Sequence, residues 1–112
     1  MARWNEAQVT EGKILEYLLS ADHPTGKDKA AFFAAVGYSR EEWNQLRDDL
    51  LGLARAGDVV AETPTEYGMK YVLDGVLQTP VGRAVALRTV WIADEPEDPP
   101  RLVTAYPRRG DS

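Results

Sequence analysis

Leu50-Leu51-Gly52-Leu53-Ala54-Arg55-Ala56-Gly57-Asp58-Val59-Val60-Ala61-Glu62 is where the chain changes its hydrophobic period. Upstream, Trp43, Leu46, Leu50, Leu53 and Ala54 recur at the three- and four-residue spacing of one helix face. Gly57 stops that helix. Downstream, Asp58–Glu62, Tyr67–Leu73, Val76–Thr79, Val85–Ala93 and Arg101–Tyr106 are β-rich and separated by Pro, Gly and acidic residues. Helices followed by a run of hairpins predict an α+β fold, with three N-terminal helices on one face of an antiparallel sheet of four or five strands.

Two more helices precede the third. Thr10 caps a stripe of Ile14, Leu15, Leu18 and Leu19. A shorter helix covers Lys27 to Val36, turns Ala30, Phe32, Phe33 and Val36 inward, and ends at Gly37. Ser39-Arg40-Glu41-Glu42 is a capping box for the third. Trp43, Leu46, Leu50, Phe32 and Trp91 are expected to share one core, while Trp4 sits in a terminus expected to be loose. Residues 1–112 read as one domain with an ordered core of 7–107.

Composition narrows the chemistry. The chain has 112 residues, 18 acidic against 13 basic side chains, one histidine and no cysteine. Disulfides, thiolate metal sites and cysteine nucleophiles are therefore excluded, and a histidine-rich metal site is impossible. With no carboxylate cluster on the expected functional face either, no metal and no cofactor are expected. A net charge of −5 argues against non-specific coating of nucleic acid, which needs Lys and Arg to neutralise phosphates. It leaves room for basic groups converging on one cleft. Absence of a signal-peptide pattern and of a membrane-length apolar run makes a cytoplasmic protein, with no membrane partner, the expectation. Asp48-Asp49 and Glu41-Glu42 fall on the outer side of the third helix and read as surface charges.

Ser20-Ala21-Asp22-His23-Pro24-Thr25-Gly26-Lys27-Asp28-Lys29 holds the single histidine and two lysines at the start of a helix, where unsatisfied N–H groups favour anions. His23 taken alone reads more readily as part of a solvated turn. On the last hairpin, pairing Trp91 with Val103 brings Arg88 opposite Tyr106, with Thr104 diagonally adjacent. That outer face could hold a phosphate through Arg88, orient it with Thr104 and Tyr106, and add Lys70 as a substrate-binding group, with Lys27 at the helix start as another. It also reads as the ordinary polar side of an exposed sheet.

Three segments resemble a small bacterial domain family of unknown function, found alone and at the C-termini of polymorphic toxins. They are His23-Pro24-x-Gly26-x-x-Lys29-Ala30-x-Phe32-Phe33, Tyr67-Gly68-x-Lys70-Tyr71, and Arg88-Thr89-Val90-Trp91-Ile92 with Arg101-Leu102-Val103-Thr104-Ala105-Tyr106-Pro107. The family is similar in layout to the barnase/EndoU/colicin/RelE ribonucleases, and the resemblance spans residues 13–107. It implies a metal-independent RNA endonuclease with His23, Lys29, Arg88 and Thr104 at the catalytic site. The 2′-OH would attack the adjacent phosphate to leave a cyclic phosphate. RNA, tRNA included, and an inhibitor or immunity protein are the implied partners. The alternative is a non-catalytic interaction module on the same scaffold, such as an acidic inhibitor or immunity-type partner.

Overall fold

The computed structural model describes residues 3–20 and 27–108, with the side chains of Lys27 and Asp28 outside the description. Helix α1 (Glu11–Lys13) begins at Thr10, whose extended backbone lets its Oγ1 accept the Lys13 N–H at 3.2 Å. The helix then widens into a π-helical stretch, Ile14–Leu18, closed by the Leu19 N–H donating to the Ile14 carbonyl at 2.7 Å. Ile14 and Leu18 point into the core.

Helix α2 (Lys27–Ala35) buries Ala30 and Phe33 and gives way to Gly37, whose φ is 105°. A Cβ at Gly37 would meet Val81 at 3.0 Å and Pro80 at 3.1 Å, so both backbone and space select glycine. The Ser39 Oγ then accepts the Glu42 N–H at 3.3 Å, and α3 (Trp43–Ala56) follows with Leu46, Leu50, Leu53 and Ala54 inward. Gly57 ends α3 where a Cβ would lie 2.6 Å from the Asp74 carbonyl oxygen, so the missing side chain lets the helix end press on the sheet. Asp49, expected to be a surface charge, accepts the hydroxyl proton of the buried Tyr38 at 2.7 Å. Burial, that hydrogen bond and the carboxylate's charge push the Tyr38 phenol well above its ordinary value, so it stays protonated.

Four strands form one antiparallel sheet in sequence order: β1 (Asp58–Thr65), β2 (Gly68–Gln78), β3 (Ala84–Ala93) and β4 (Arg101–Pro107). The two segments expected at Tyr67–Leu73 and Val76–Thr79 are one strand, β2, paired without interruption from Met69↔Ala93 to Gln78↔Ala84. Asp74-Gly75 has turn chemistry in isolation, but Asp74 is held opposite Arg88 and Gly75 packs beneath Leu53. β1 is an edge strand, so Pro64 removes no ladder hydrogen bond that the sheet needs.

The helices cover one face of the sheet. Trp91, Leu73, Leu77 and Leu87 reach them from it and are fully buried. The Trp91 indole N–H donates to Thr89 Oγ1 at 2.6 Å, and the Thr89 hydroxyl donates to the Leu73 carbonyl at 2.8 Å. Phe32 and Trp43 lie at the rim of this core, half-buried, with the Arg47 guanidinium 5.1 Å from the Trp43 ring centre. Trp4 is no loose terminus: its ring meets Trp91 and Tyr71 edge-on at 5.6 and 5.4 Å. The strap behind it is Gln8, which donates to the Pro100 carbonyl and accepts from the Leu102 N–H.

Register on the last hairpin departs from expectation at one residue. Arg88 faces Tyr106 as expected, but Trp91 faces Leu102, and Val103 is an extra residue in a bulge. Strict alternation would send Leu102 and Ala105 to opposite faces; the bulge turns both inward, where they are buried. No helix among the described residues is long and apolar enough to cross a membrane.

Leu50 is fully buried in this core. Leu50→Ala should lower the unfolding free energy by about 2–5 kcal/mol, read from urea denaturation followed by circular dichroism.

Candidate functional site: a cationic notch beside an ion triad

Tyr17 lies on the π-helical stretch, and its hydroxyl is 3.1 Å from the Thr104 hydroxyl on edge strand β4. The Nζ of Lys13 and that of Lys29 stand 5.0 and 5.5 Å from the centre of its ring. Partial burial works to raise the phenol's pKa. The Thr104 hydrogen bond, the hydrogen bond and charge of Lys29, and the charge of Lys13 outweigh it, so the group is lowered from its ordinary value. A tyrosine made more acidic by the Thr104 hydroxyl and two ammonium groups can accept and donate a proton with charge stabilisers beside it.

The second cluster lies on the sheet face opposite the helices. Arg88 grips Asp74 with two parallel bonds, Nε to Oδ1 at 2.7 Å and Nη2 to Oδ2 at 2.8 Å. Arg108 approaches the same carboxylate to 3.3 Å. The Arg88 hydrogen bond, opposed by burial and helped by both guanidinium charges, holds the Asp74 carboxyl below the usual carboxylate range. One carboxylate facing two guanidiniums leaves the triad with a surplus positive charge.

The site residues expected from sequence divide between these clusters. Lys29 and Thr104 meet at Tyr17. Arg88 and Tyr106 face each other two residues along from the Thr104↔Val90 pair, or about 7 Å at strand spacing. Lys70 is exposed opposite Ile92, four residues along β2 from Asp74, about 13 Å away, and joins neither cluster. His23 and the Lys27 side chain lie outside the described residues.

Lys13, Tyr17, Asp74 and Arg108 are members of these clusters that sequence reasoning misses. The Lys13–Tyr17 spacing of i, i+4 is an available signal, since it stacks both on one helix side. Asp74 and Arg108 acquire their meaning only from strand register.

A carboxyl whose folded pKa is depressed stabilises the fold above its unfolded pKa, and that contribution is lost as pH falls through the folded value. Wild-type stability should therefore decline as pH drops below about 4, the unfolded carboxyl value. Asp74→Asn should be less stable at neutral pH and show a flatter decline, as measured by urea midpoints across the acid range.

The fold is shared with a chain of a contact-dependent growth inhibition toxin–immunity protein complex from Klebsiella pneumoniae 342. The two superpose with a TM-score of 0.72 over 96% of this chain and 97% of that one, at 15% sequence identity. No curated protein matches the chain in sequence. A family model does match, over residues 1–109, and its description is domain of unknown function DUF6883. By that match the chain belongs to the DUF6883 family.

Proposed function

We propose that this domain is a metal-independent RNA endonuclease of toxin type, with the notch around Tyr17 as its reacting centre. The ribose 2′-OH attacks its own 3′-phosphate, the P–O5′ bond breaks, and the products carry a 2′,3′-cyclic phosphate and a 5′-OH. Tyr17 exchanges a proton with the reacting oxygens, Lys29 and Lys13 stabilise charge on the phosphorane, and Thr104 orients the phenol. His23, in the segment leading into α2, is the complementary acid or base, and Arg88 binds from the adjoining face. The observation carrying this reading is that Lys29 and Thr104, distant in sequence, converge on one phenol whose pKa is lowered. The fold shared with a chain of a toxin–immunity complex agrees equally with a toxin and with an immunity-type partner.

A second reading, a non-catalytic partner of inhibitor or immunity type, draws on the −5 net charge and on Asp74's engagement of Arg88.

Purified protein incubated with total tRNA and rRNA in EDTA should release discrete fragments ending in cyclic phosphate. Tyr17→Phe should slow cleavage by about 10²–10⁴-fold. Because Lys29 lowers the phenol's pKa, Lys29→Met should move the basic limb of the pH–rate profile to higher pH. Cleavage that disappears in EDTA and returns with Mg²⁺ rules out this mechanism. Intact RNA from wild-type protein favours the partner reading.

A further inference from the structure

The Asp74–Arg88–Arg108 triad sets two guanidiniums against one carboxylate. Arg88 gives each Asp74 oxygen one bond, and Arg108 is brought to the same carboxylate as a second guanidinium. Its backbone is fixed there, with the Arg108 N–H donating to the Ala86 carbonyl at 2.9 Å. Tyr106, directly opposite Arg88, is 37% exposed on a sheet face that no helix among the described residues covers. The site thus offers a flat ring, a bidentately anchored guanidinium and a second guanidinium with incompletely neutralised charge.

We infer that Arg88, Arg108 and Tyr106 form a single-stranded nucleotide subsite, in which the guanidiniums hold a backbone phosphate and the Tyr106 ring stacks on a base. Asp74 is its positioning residue: it holds both arginine forks in place, so little side-chain freedom is lost when phosphate arrives. Stacking on a lone ring needs an unpaired base, which selects single strands over duplex. This subsite rests on the ribonuclease reading for its purpose, as the place where the strand is held one nucleotide step from Thr104 and the notch. Its binding chemistry stands apart from cleavage.

An all-deoxy, fluorescein-labelled hexanucleotide has no 2′-OH and cannot be cleaved by the proposed route, so its fluorescence anisotropy reports binding alone. At low salt, wild-type protein should bind it saturably. Tyr106→Ala and Arg108→Ala should each weaken binding roughly tenfold, and Arg108→Ala should reduce the salt slope by about 0.7. Arg55→Ala removes the same charge from the exposed side of α3 and should change the Kd by less than about twofold. No binding by the wild type, or equal weakening by Arg55→Ala and Arg108→Ala, overturns the subsite. If the hexanucleotide binds as expected while RNA stays intact, the ribonuclease reading falls and the subsite stands. If RNA is cleaved while the anisotropy stays flat, the subsite falls and the ribonuclease reading stands.

Discussion

Burial of the Trp91 indole is the constraint on which the arrangement depends. A single sheet covered on one side must gather a core from one face of its strands, and Trp91 is the largest side chain that it fully encloses. An indole N–H without a partner there would carry the full cost of desolvation. Thr89 removes that cost by accepting the indole hydrogen bond and donating one of its own to the Leu73 carbonyl, which ties β3 to β2 through a side chain as well as the backbone ladder. Trp4 closes over the same ring and brings the N-terminal segment to β4. With α1, α2 and α3 on this face, no described helix covers the other, where Arg88, Asp74 and Tyr106 stand.

How much of this can be read from residues alone depends on whether the signal is local. The helices are legible because apolar spacing repeats over several turns, and α3 occupies the stretch that its leucines mark. The strands are legible in number only to within one, because Asp74-Gly75 carries turn chemistry whose meaning is reversed by Arg88 across the sheet. The bulge at Val103 is invisible, since one added residue leaves composition and β-propensity unchanged. The same holds for the π-helical stretch: its extra residue per turn has no sequence mark, yet it carries Tyr17.

The candidate site divides along the same line. Lys29, Arg88, Thr104 and Tyr106 are found because they sit in motif segments. Tyr17 escapes notice, and Trp4 reads as part of a loose terminus, because an aromatic in a helix or near a terminus has no distinguishing local pattern. Asp74 and Arg108 illustrate the electrostatic side: an acidic chain gathers basic groups into two small places, while Asp94, Glu95, Glu97 and Asp98 lie together on the β3–β4 connection. Global charge therefore says little about what the cationic notch and triad attract; local fields act over roughly a Debye length of 10 Å.

The hydrogen bond between Tyr17 and Thr104 joins groups 87 residues apart. Its two ends belong to the first helix and the last strand, so the notch has no precursor in any shorter stretch of the chain. During synthesis the phenol emerges early and waits without its partner until β4 has been made and paired, a late step because long-range contacts close last. Loss of that strand at any later time undoes the notch while leaving the sequence of α1, α2 and α3 whole. The clustering around Tyr17 is thus a report on completion of the fold, and whatever it does is confined to the finished molecule.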